Sequence, residues 1–129
     1  AMVRSGDALI LRFHYHAEKT VRDPSFGFRL FTEMGTLITE TNHLLHGLHI
    51  PKVDPGDGYI ELEIDSLNLV PGRYSFSLWV TGQPSKIVFD GDVRASLEVE
   101  VSDVYHSGRM LDSRYGLMYF PQRWNVAQS

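Results

Sequence analysis

The sequence predicts an all-β fold, an antiparallel β-sandwich of immunoglobulin-like or jelly-roll type, and three observations predict it. Short segments alternate apolar and polar residues with the period of two that a half-buried strand requires. Turn residues separate these segments at short intervals. No stretch keeps a helical period long enough for a convincing helix. The chain has 129 residues, 43% hydrophobic and 22% charged, which suits a single domain that buries its own core.

The elements follow in order. Ala8 to His16 alternates, with Leu9, Leu11, Phe13 and Tyr15 on one face and Ile10, Arg12, His14 and His16 on the other. Phe26 to Phe31 is a second strand, and Glu33-Met34-Gly35-Thr36 turns it into Leu37 to Thr41, a hairpin signal. Asn42 to Gly58 is rich in His, Pro and Gly and reads as a loop, with room for one short helical turn in His43 to Ile50. Tyr59 to Asp65 points Ile60, Leu62 and Ile64 inward and Glu61, Glu63 and Asp65 outward. Val70-Pro71-Gly72 places Pro and Gly where a type II turn wants them. Arg73 to Thr81 sends Tyr74, Phe76, Leu78 and Val80 inward, leaving Arg73, Ser75, Ser77, Trp79 and Thr81 outward. Gly82 to Ser85 reads as a turn, Lys86 to Asp90 as a short strand and Val93 to Val101 as a longer one. The aromatic segment Tyr115 to Pro121 reads as a last strand, followed by Trp124, and could pair with a second copy of the chain. That makes about eight strands.

Composition excludes several classes. There is no Cys, hence no disulfide and no Cys-based zinc or redox centre. Net charge is -4 with no cluster of Lys and Arg, so nothing suggests a nucleic-acid partner. No phosphate-binding glycine loop or nucleophile elbow occurs, and no cofactor is expected. The outward carboxylates share single strand faces and read as solvated surface, not as a catalytic pair across a cleft. His14 and His16 share a face with Glu18 nearby, half of a cupin-like metal motif whose other half is missing. No metal site and no enzyme activity are therefore expected. The residue ahead of Met2 reads as a cloning scar, with residues 1–5 partly scar or linker and 1–129 one domain cut from a longer protein.

Trp79 is the residue that alternation does not need. An indole among Arg and Ser on an open sheet face suits a sugar, whose C–H face stacks on a ring while side chains bond its hydroxyls. The candidate carbohydrate-binding residues are Trp79, Ser75 and Ser77, joined by Arg12, His14 and His16 if the two strands share a sheet, and by Arg29. His43, His46 and His49 either rim such a site or are plain polar loop. In the first case binding would depend on pH near the imidazole range. The competing reading is a dimerisation sandwich with no ligand, in which Trp79 faces a partner.

Three stretches carry a resemblance. "PSFGFRLFTEMGTLITETN" (24–42), "GYIELEIDSLNLVPGRYSFSLWV" (58–80) and "SGRMLDSRYGLMYFPQRWNV" (107–126) together resemble the C-terminal domain of Wzt-type ABC transporter subunits. The resemblance implies a β-sandwich fused behind an ATP-binding cassette and partnered by a membrane permease. It implies recognition of a finished, often terminally modified, O-antigen polysaccharide on the cytoplasmic side of the inner membrane. It also implies a homodimer with exchanged C-terminal strands and no hydrolysis by the domain itself.

Overall fold

Alternating side chains give each strand one apolar face, and two sheets bury those faces against each other. The computed structural model describes residues 2–83, 87–89 and 94–127, with the backbone alone for Gln83, Val88, Phe89 and Arg94. The strands are β1 (Met2–Arg4), β2 (Leu9–Ala17), β3 (Val21–Thr32), β4 (Leu37–Asn42), β5 (Lys52–Val53), β6 (Gly56–Ile64), β7 (Gly72–Gln83), β8 (Ile87–Phe89) and β9 (Arg94–Glu100). A six-stranded sheet runs β1-β9-β7-β3-β4, with β5 also paired to β3. The three-stranded sheet opposite it runs β6-β2-β8. Pairing is antiparallel except between β1 and β9, which run parallel. Among the described residues no helix is long and apolar enough to cross a membrane.

The core forms where the inward faces meet. Phe28 and Leu30 of β3, Tyr74 and Phe76 of β7, and Leu97 and Val99 of β9 are buried with Leu67 and Leu69, and Leu9, Leu11, Phe13 and Leu62 close on them from the smaller sheet. A second cluster gathers Ala17, Val21, Phe26 and Val53. Tyr74 ties this core to the preceding loop: its buried hydroxyl donates to the Val70 carbonyl at 2.6 Å. That bond gives the Pro71-Gly72-Arg73-Tyr74 sequence a structural role, much as a tyrosine corner does in other sandwiches.

Several elements differ from the sequence expectations. The Val70-Pro71-Gly72 segment is not a type II turn. Gly72 has a φ of 158° and already pairs with Val99, whereas that turn type needs roughly +80°. Gly82 and Gln83 continue β7 rather than turning, while Pro84, Ser85, Lys86, Asp90 and Val93 lie outside the described residues. The aromatic tail is not a strand. It makes isolated bridges, Leu69 with Met118 and Ser102 with Leu111, around a 3-10 turn at Ser113–Tyr115. Too few of its backbone groups find a neighbouring strand within this chain to build a ladder. Residues 2–5, read from sequence as partly linker, are built into the fold. β1 pairs with β9, and the buried Ser5 hydroxyl donates to the Leu69 carbonyl at 2.6 Å.

Candidate carbohydrate-binding face

The β7 strand sets Trp79 directly opposite Gly27 of β3, on the outward face of the six-stranded sheet. Gly27 matters because it has no side chain. The indole lies across the glycine, and a Cβ there would sit inside the ring. Gly27 is buried beneath it although it faces outward. A glycine within a strand often marks such a close approach. The ring buries its Nε1–H, which meets no acceptor among the described residues. The whole residue is only half-buried, so the ring keeps surface for a ligand.

Neighbouring rows complete the face. Arg29 stands opposite Ser77 on one side and Glu40 on the other, and Phe31 stands opposite Ser75. Glu40 accepts from Arg29 Nε at 3.0 Å, and the guanidinium carbon lies 5.9 Å from the Trp79 ring centroid. The carboxylate thus steadies the cation beside the indole, at a distance where a cation–π attraction operates. Ser75 and Ser77 are partly exposed, and among the described residues their hydroxyls have no protein partner. A flat ring, a held guanidinium and two uncommitted hydroxyls can stack and hydrogen-bond a sugar.

Four of the seven sequence candidates, Trp79, Arg29, Ser75 and Ser77, therefore meet on one face. Arg12, His14 and His16 do not join them. They lie on β2, in the other sheet, and point outward on the opposite side of the sandwich. There they pair with β6. The Arg12 guanidinium binds Glu61 and covers Tyr59 at 4.5 Å, and His16 Nδ1 meets Asp57 at 2.7 Å. The hydrogen bond to Glu61 raises the Arg12 pKa above its ordinary value and keeps the guanidinium charged. Arg12 with Glu61 and His16 with Asp57 satisfy one another, which leaves less for a ligand. Among the described residues no group of three or more His, Cys, Asp or Glu converges as a metal site would.

Sequence reasoning missed Gly27, Glu40 and Tyr59. The lone glycine in Phe26-Gly27-Phe28 was the available signal for the first. Nothing local announces Glu40, whose role depends on β3–β4 register. The histidine loop forms a 3-10 turn, His43–His46, capped by Asn42 and by Gly47 in the left-handed region. It stands at the side of the sandwich between the two sheets, where His43 and His46 line a cleft together with Phe13 and Ile60. Another concavity, about 960 Å³, lies elsewhere, between the N-terminal turn and the tail, and holds none of the seven candidates.

A two-sheet sandwich with an aromatic, hydroxyl-lined outer face places the chain in the class of β-sandwich domains. Comparison with known proteins narrows this. The model of the Wzt C-terminal domain family matches residues 1–110, and the chain belongs to that family, which is associated with O-antigen transport. The match ends before the aromatic tail. A solved structure described as the crystal structure of the C-terminal domain of Wzt is similar with a TM-score of 0.70 and 12% identity, over 98% of this chain and 74% of that one. At that identity the likeness is one of fold. No curated protein matches by sequence.

Proposed function

We propose that the domain is a non-catalytic carbohydrate-binding module that recognises an O-antigen polysaccharide awaiting export by an ABC transporter, and that the outer face of the six-stranded sheet is its platform. The observation that carries this reading is the indole of Trp79, laid flat over Gly27 with Arg29 beside it and Ser75 and Ser77 alongside. Membership of the Wzt C-terminal domain family supports the transporter context; in this reading the domain follows an ATP-binding cassette in the same chain, works with a membrane permease and acts at the cytoplasmic face of the inner membrane. Stacking on one ring plus a few hydrogen bonds, each exchanged against water, gives weak single-site affinity, on the order of micromolar to millimolar. Two platforms in a homodimer would add avidity along one polymer.

The test is a titration of amide-labelled domain with the O-polysaccharide of the parent strain. Shifts are expected along β3 and β7 near Gly27 and Trp79, and their absence would sink the reading. A ligand-free dimerisation module is the second reading. The exposed aromatics of the tail, Phe120 at 71% and Trp124 at 90%, favour it. It predicts that Trp79→Ala changes the sedimenting mass while no glycan shifts any amide.

A further inference from the structure

Charge on the outer face of the six-stranded sheet comes in opposed pairs. Arg29 stands opposite Ser77 on β7, and Arg73 lies two residues before Ser75 on the same strand, so these two cations flank the serines of the platform. Each stands opposite a carboxylate on a neighbouring strand, Arg29 opposite Glu40 and Arg73 opposite Glu98. The whole chain leans the same way, with 12 Lys and Arg against 16 Asp and Glu and a net charge of -4. Such a molecule does not steer a polyanion toward itself.

Arg29 is the cation beside the indole, its guanidinium carbon 5.9 Å from the Trp79 ring centroid. Its Nε–H donates to Glu40 Oε1 at 3.0 Å, and among the described residues its Nη groups have no protein acceptor. A guanidinium recognises a carboxylate best through two parallel N–H bonds. Glu40 occupies the Nε edge. A carboxylate on a ligand would be left with the Nη end, beside a like charge that repels it. A sugar hydroxyl accepts from the same Nη groups without that repulsion. Both side chains are partly exposed, 45% for Arg29 and 37% for Glu40, and a pair so exposed adds little stability. A charge on β4, which ends the sheet, also discourages pairing with another strand, but that role is indifferent to sign. The sign matters to Arg29 and to what approaches it.

We propose that Glu40 is a specificity-determining residue of the platform: it offsets the charge of Arg29 and so makes the face select uncharged sugar residues over acidic ones. The inference rests on the platform reading, and its test separates the two. Glutamine at position 40 is the informative change. It keeps an Oε1 acceptor for the Arg29 Nε–H and removes only the charge, so holding Arg29 in place and screening it become distinguishable.

The probes are the parent strain's O-polysaccharide and two derivatives of it, one carrying butanoyl esters and one carrying succinyl half-esters at the same density. The two substituents match in bulk and differ in charge. Amide-labelled wild type, Glu40→Gln and Glu40→Asp are titrated with each. The wild type is expected to bind the butanoyl form about fivefold more tightly than the succinyl form, a gap that narrows as salt is raised. Glu40→Gln is expected to reduce the gap to about twofold while binding the underivatised polymer as the wild type does, and Glu40→Asp to preserve the gap. An unchanged gap in Glu40→Gln would overturn the role of Glu40 and assign the exclusion to the charge of the chain as a whole. A folded Glu40→Gln that loses every probe would overturn it in favour of a purely positioning role. A wild type that prefers the succinyl form would overturn the selectivity itself. Failure of the platform reading looks different: no probe moves the Gly27 or Trp79 amides of any variant, and the selectivity falls with it.

Discussion

Trp79 and Gly27 act as one unit, because the ring needs the missing side chain beneath it. Gly27→Ala is expected to lift the indole off the sheet, cost about 1–3 kcal/mol as overpacking does, and weaken glycan binding; chemical denaturation and a polysaccharide titration check both. Trp79→Ala removes an outward ring and should cost less stability than a core truncation such as Leu97→Ala, for which about 2–5 kcal/mol is expected. Tyr74 gives a second residue-scale prediction. Burial raises its phenol pKa, so the folded state holds that proton more tightly than the unfolded chain. The stabilisation is complete below about pH 10, the ordinary tyrosine value, and is lost as pH rises through the raised pKa. Tyr74→Phe should cost about 1–2 kcal/mol by leaving the Val70 carbonyl without its donor, and should flatten the alkaline limb of a stability-versus-pH curve. Alternation alone told which way Trp79 and Tyr74 point. It could not tell that one ring rests on a glycine and the other reaches back to Val70, since both depend on atoms from another segment.

At the level of elements, the deciding fact is which strands share a sheet. Period-two patterning assigns each side chain to a face of its own sheet, and it did so correctly for β2, β3, β6 and β7. It says nothing about whether β2 and β7 are neighbours. That is settled by long-range pairing, and here the pairing places Arg12, His14 and His16 on the far side of the sandwich from Trp79. A prediction follows from the separation. Arg12→Ala and His14→Ala should leave polysaccharide affinity within about twofold, less than 1 kcal/mol, whereas Arg29→Ala should weaken it by tenfold or more. Isothermal titration of the three variants distinguishes these outcomes. The hairpin of β3 and β4 was legible because Gly35 punctuates two alternating runs. The tail was not, because an aromatic segment resembles a strand whether or not an edge is present to receive it.

On the scale of the whole molecule, the sandwich leaves apolar surface at the C-terminal end. Tyr115, Leu117, Met118, Phe120, Trp124 and Val126 are all exposed, a larger concentration than scattered surface residues require. The proposed homodimer would cover part of this surface. Analytical ultracentrifugation of the chain should then show twice the monomer mass, and Phe120→Ser with Trp124→Ser should reduce it to the monomer value without loss of fold. A monomeric wild type at high concentration would refute that assembly. Dimerisation and recognition are separable in this design, because the tail variants alter neither β3 nor β7. They are expected to keep single-site sugar contact and lose only the avidity gained on long polymers.

The measurement that bears most directly on the central claim is an amide-shift titration of wild type and Trp79→Ala with the parent strain's O-polysaccharide. Saturable shifts along Gly27, Arg29, Ser77 and Trp79 in the wild type, absent from a variant with native dispersion elsewhere, are the result predicted. A Trp79→Ala domain that folds and binds the polymer as tightly as the wild type would contradict it.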